Sequence, residues 1–205
     1  MSYPTNAVST ELDAVNQILS SVGQTPVTTL DLQNPEVSIV VQTLRNSTLQ
    51  VLAEGFSFNR EDQVKFTPDP TTKEIKYPLN VLSLDVCREV HRDDFNVVRR
   101  NGKVYDLKHH TYEFDDPIYL DVVYVYAFED IPPIVQRYIV ASSIRQAAIK
   151  MTGDNELYRL FEQLESEARL GVIQYENDQH DYDMFGGGID RPYLNSYNPI
   201  DALLR

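Results

Sequence analysis

The sequence predicts an α+β protein: a four-helix bundle formed from both ends of the chain, a β-rich insertion between them and an extended C-terminal arm. Three observations lead there. Apolar residues recur at spacings of three and four in residues 1–55 and again in 129–179. Across 56–128 the period turns to alternation, and Pro68, Pro70, Pro78 and Pro117 break any long helix. Residues 180–205 have no period and carry Gly186-Gly187-Gly188 among aromatic and acidic residues. The expected divisions are therefore 1–55, 56–128, 129–179 and 180–205.

The first helix follows Thr10, which has capping-box spacing to Asp13, although Asp is shorter than the usual Glu or Gln there. Leu12, Val15, Ile18, Leu19 and Val22 form its apolar face, and Gly23 supplies a left-handed stop. An extended connector, Thr25–Leu30, leads to the second helix. There Asn34 is the cap, Pro35 takes the first helical position and Glu36 faces the positive end of the dipole. Its stripe, Val37, Val40, Val41, Leu44, Thr48, Val51 and Leu52, runs on to Glu54-Gly55. Asn46-Ser47-Thr48 matches a glycosylation sequon but falls inside this helix.

In the insertion, Val64–Phe66, Ile75–Tyr77 and Val81–Leu84 are short strand candidates, with a turn at Pro68-Asp69-Pro70. Asn101-Gly102 between the alternating runs Phe95–Arg100 and Lys103–Leu107 predicts a hairpin closed by a type I′ turn, because both residues tolerate positive φ. Ile118–Tyr126 is the longest β-branched and aromatic run, and is expected to be the central strand.

Two helices then face each other across Thr152-Gly153-Asp154. The first, Pro132–Met151, presents Ile134, Val135, Tyr138, Ala141, Ser142, Ile144, Arg145, Ala148 and Ile149 on one face. The second, Asn155–Gln179, is capped by Asp154 and carries Leu157, Leu160, Phe161, Leu164, Ala168, Val172 and Tyr175. So short a connection forces an antiparallel helical hairpin. Beyond it, Tyr182, Phe185, Tyr193, Tyr197, Leu203 and Leu204 suggest an arm ordered by a partner surface, where aromatics bury large areas.

With 205 residues, 42% of them hydrophobic, the chain is long enough to bury a real core. No apolar run approaches a membrane span and no signal leader stands at Met1, so neither insertion nor export is expected. Cys87, the single cysteine, has the setting of a small buried side chain. A formal charge of −13 disfavours ordinary nucleic-acid binding, which depends on cationic contacts to phosphate. Such acidity serves solubility, or else forms a wall past which nucleic acid slides without sticking.

A search for chemistry yields little. His109 and His110 are adjacent, which on a strand places them on opposite faces, while His91 and His180 are isolated; all four read as solvated side chains. Asp181-Tyr182-Asp183 begins like a calcium loop, but Phe185 and Pro192 occupy later ligand positions. No Walker loop, nucleophile elbow or dinucleotide fingerprint is present. Asp93-Asp94 and Asp115-Asp116 offer paired carboxylates for a polysaccharide hydrolase, the alternative function.

The stretches Glu11–Leu19, Val22–Val27, Gly55–Asn59, Phe128–Pro133, Arg137–Val140 and Glu162–Arg169, in that order, closely resemble the tail tubular protein A family, the adaptors of short-tailed bacteriophages. Phe56 replaces a frequent Trp, and Gln24 a common acidic residue. The resemblance implies a virion tail protein assembled in the host cytoplasm as a ring of twelve. Such a ring lies beneath the portal, joins it to the nozzle (tail tubular protein B), helps hold tail fibres and lets genomic DNA pass through its centre. It implies no enzyme, no cofactor and no metal. In such a ring the arm would reach the portal or the next subunit, and Glu162, Glu165 and Glu167 are the candidates for an acidic lumen.

Overall fold

In a computed structural model that describes residues 10–91 and 94–179, the chain is a mixed α+β protein. Helix α1 (Glu11–Ser21) begins with a full capping box: the Asp13 amide donates to Thr10 Oγ1 at 3.2 Å, and the Thr10 amide donates to the Asp13 carboxylate at 3.1 Å. The short Asp thus does the work expected of Glu. Gly23 stops the helix at φ +80°. Asn16 then pins the extended connector, its side chain exchanging two hydrogen bonds with the backbone of Val27. Helix α2 (Pro35–Leu52) starts at Asn34, whose side chain accepts from the Glu36 amide at 3.0 Å.

The insertion holds an antiparallel three-stranded sheet in the order β1 (Arg60–Phe66), β5 (Ile118–Tyr124), β2 (Val81–Val86). The β-branched run is thus the central strand, though it ends at Tyr124 because the Val125 amide turns to the carbonyl of Asn80. Between β2 and β5 in the chain come the short helix α3 (Arg88–His91) and a hairpin, β3 (Val97–Arg100) and β4 (Lys103–Asp106). Asn101 and Gly102 both have positive φ, +53° and +73°, as the Asn-Gly turn requires. Ile75–Tyr77 is not a strand. It makes only single bridges, Glu74 to Glu113 and Lys76 to Lys103, because Lys73 at φ +57° and Pro78 bend the backbone on either side.

A 3-10 turn, Phe128–Asp130, leads into α4 (Pro133–Met151) and then α5 (Asn155–Gln179). Gly153 turns at φ +66°, and Asp154 Oδ1 accepts from the amides of Glu156 and Leu157. Helix α4 differs from its sequence reading: it packs against α1, α2 and α5, so it is buried on more than one side. Ile139, Val140, Ser143 and Ala147 are buried beside the expected face, whereas Ile149 is 54% exposed. Serines and alanines carry little apolar signal, yet their small size permits close packing. The buried Ser143 hydroxyl donates to the carbonyl of Ile139, four residues back. On α5, Phe161, Ala168 and Val172 are buried as expected, but Leu160 and Leu164 are 53% and 45% exposed.

The buried apolar side chains form two clusters. One joins α1, α2, α4 and α5 with Phe56, Phe128 and Ile131. The other joins the sheet, the hairpin, Ile75 and Phe114. Cys87 is buried, as expected. No helix among the described residues is long and apolar enough to cross a membrane.

Candidate assembly surfaces

Where helices meet sheet, one buried polar side chain makes the joint. Asn59 is fully buried; its Oδ1 accepts from the Phe56 amide at 2.7 Å, and its Nδ2 donates to the carbonyls of Leu52 and Tyr124, both at 2.9 Å. It therefore ties the end of α2 to the end of β5. Its own carbonyl accepts from the Tyr124 amide at 2.8 Å. Nearby, Glu176 near the end of α5 accepts from the amide and hydroxyl of Ser57. The sequence marked Asn59 only as part of a family-like stretch, since a buried Asn looks the same as a turn Asn until its partners are known.

The helices are cross-linked along polar seams. Between α2 and α4, Lys150 donates to Thr43 and Gln146 to Ser47, which sets the two antiparallel. Between α4 and α5, Arg145 pairs with Glu165 and donates to the Tyr158 hydroxyl at 3.1 Å, with its guanidinium facing the Tyr158 ring. The hydrogen bond from Arg145 to Glu165 raises the guanidinium pKa still further, and both side chains are mostly buried. Tyr138 reaches Glu54 at 3.3 Å, and burial, with the charge of Glu54, raises its phenol pKa.

An open cleft of about 370 Å³ lies between α2 and the segment linking β5 to α4. Its walls are Leu44, Thr48 and Leu49 on one side and Val125, Tyr126, Ala127 and Phe128 on the other, with Glu11, Arg45 and Glu129 at the rim. The Glu11 amide donates to Glu129 at 3.1 Å, and Arg45 donates to the Glu11 carboxylate at 3.1 Å. Leu49 is left 46% exposed. Sequence reasoning missed this cleft because its two walls are more than seventy residues apart.

The histidines correct the sequence reading. His109 and His110 lie in a turn, not on a strand, with His110 at φ +56°. His109 Nδ1 sits 2.5 Å from Asp106 Oδ2, and His91 Nε2 accepts from the Tyr119 amide at 2.9 Å, so these two have structural partners. Burial by itself raises the Asp106 pKa, but hydrogen bonds from His109 and from the amides of Asn96 and Lys108 outweigh it and hold the carboxyl below its ordinary value. Among the described residues, no group of three His, Cys, Asp or Glu side chains is placed to hold a metal ion. Asp115 is 80% exposed and paired with Lys73 at 2.5 Å. Neither Asp115 nor Asp116 lines the cleft.

Glu165 is committed to Arg145, while Glu162 and Glu167 are exposed. At about 100° per residue, Glu162 and Glu167 lie roughly 140° apart around α5, so the three do not share one face. Tyr182, Phe185, Tyr193, Tyr197, Leu203 and Leu204 lie outside the described residues.

Two comparisons bear on this architecture. A tail tubular protein from Klebsiella phage KP34, tail tubular protein A, is 29% identical over 168 residues, covering 82% of this chain and 86% of that protein. The profile of the tail tubular protein family matches residues 12–182, a span that takes in the described helices, sheet, hairpin and cleft except for Glu11, the first residue of α1. The chain therefore belongs to the tail tubular protein family and is a structural component of a phage tail.

Proposed function

We propose that the protein is the adaptor of a short tail: twelve copies form a ring between portal and nozzle, support the tail fibres and surround the channel through which DNA is ejected. The observation that carries this reading is the family match across residues 12–182. A ring of head-to-tail contacts closes only when each copy turns by the same angle, so its subunits must be stiff. The capped helices, the polar seams around α4 and the Asn59 joint supply that stiffness. In this reading the helices of residues 1–55 and 129–179 make a four-helix bundle that repeats around the ring. The insertion of residues 56–128 projects toward nozzle and fibres, and residues 180–205 form an arm onto the portal or the next copy.

Acidic side chains suit a channel wall, because repulsion keeps phosphate from lodging there. Either Glu162 or Glu167 could face that wall, but not both from one face of α5, whereas the charge of Glu165 is neutralised by Arg145. Complementation of a phage lacking the gene tests the proposal. Asp115→Asn and Asp116→Asn should yield normal tailed particles, and truncation after Gln179 should yield heads without tails. Loss of sugar-releasing activity in the Asp variants, with assembly intact in the truncation, would reverse the assignment in favour of the hydrolase.

A further inference from the structure

We infer that the cleft between α2 and residues 125–129 is a socket for the arm of a second copy, filled by Pro192, Tyr193 and Leu194 with Arg191 at its rim; this rests on the ring reading above. The cleft has the size of a ligand-binding site, about 370 Å³, and mostly apolar walls. Leu49 stands nearly half exposed at its mouth, a surface that an aromatic side chain would remove from water.

The rim selects among possible occupants. Glu11 and Glu129 place two carboxylates there against the single guanidinium of Arg45, which leaves a net negative edge. The arm carries four carboxylates, Asp181, Asp183, Asp190 and Asp201, which such an edge would repel, against two arginines, Arg191 and Arg205. Within it, Arg191-Pro192-Tyr193-Leu194 sets a cation beside an aromatic and an aliphatic side chain, which matches a negative rim over an apolar floor. Proline also lowers the entropy lost when such a segment is fixed. Tyr193 is fourteen residues beyond Gln179, so an extended arm reaches about 46–50 Å, enough to cross to a neighbouring copy. A tethered contact of this kind adds affinity through effective concentration even where each contact alone is weak.

The test uses full-length chains in a Cys87→Ala background. One pool carries Leu49→Cys, a second carries Tyr193→Cys; the pools are mixed, assembled and mildly oxidised, while light scattering reports the mass of the assembly. A covalent heterodimer is expected, its yield reduced several-fold by Arg191→Glu. Assemblies of full mass without the heterodimer would overturn the socket and leave the ring standing. A chain carrying both cysteines that closes on itself at high dilution would show that the chain's own arm fills the cleft, and would overturn the exchange. Failure of the parent to assemble under any condition would remove the ring and the socket together.

Discussion

Replacing Asn59 by Ala should loosen the joint between helices and sheet. The Phe56 amide loses its 2.7 Å acceptor and the carbonyl of Leu52 loses a donor in a buried setting, while the carbonyl of Tyr124 loses one in a partly buried setting. Leu52 keeps a second donor, the Gly55 amide, so it suffers least. An orphaned buried group costs about 1–3 kcal/mol and each of the two further lost bonds about 0.5–1.5 kcal/mol, which gives a loss of roughly 2–6 kcal/mol. In urea, with a slope of about 1–3 kcal/mol/M, the midpoint should fall by at least about 0.7 M. Asn59→Asp separates this reasoning from simple cavity formation. It keeps the volume and the acceptor for Phe56, but turns a carboxylate oxygen toward two carbonyls, so it should cost more than Asn59→Ala. An Asp variant as stable as the parent would refute the account of the joint.

Other substitutions test the local readings. Glu165→Gln leaves Arg145 partly buried beside a neutral partner and should cost about 1–3 kcal/mol in denaturant titrations. Asp106 has a folded pKa below its unfolded one, so its stabilisation is present above the ordinary carboxylate range and disappears as pH falls through the lower folded value. Asp106→Asn should therefore be less stable at neutral pH and show a flatter loss of stability below about pH 4 in unfolding followed by circular dichroism. Thr10→Ala removes the cap of α1 and should lower the melting temperature by about 2–4 °C, from a loss of about 1 kcal/mol. Gly153→Ala meets no neighbouring atom but must hold φ +66°, so calorimetry should register a loss of about 1–2 kcal/mol.

Local chemistry was legible in the sequence because its causes lie within a few residues. Thr10, Asn34 and Asp154 cap helices where they were expected, and Asn101-Gly102 closes its hairpin. Long-range packing was not. Helix α4 reads as having one apolar face because Ser143 and Ala147 carry no strong signal, yet contact with three helices buries them. His91 looked solvated because its partner, the Tyr119 amide, is brought to it by the folding of the insertion, whereas His109 is exposed as expected, with Asp106 as its partner. The same holds for Glu165, whose place in an acidic stretch gave no hint of Arg145 twenty residues earlier. At the candidate surfaces, the acidic helix could be found from composition, whereas the cleft needed Leu49 and Val125 brought together.

The central claim is tested most directly by light scattering behind a sizing column, on the purified protein alone and after mixing with the portal. The account predicts a species with the mass of twelve 23.5-kDa chains, either free or on the portal in the mixture. A monomer that passes the portal unbound under both conditions would contradict it.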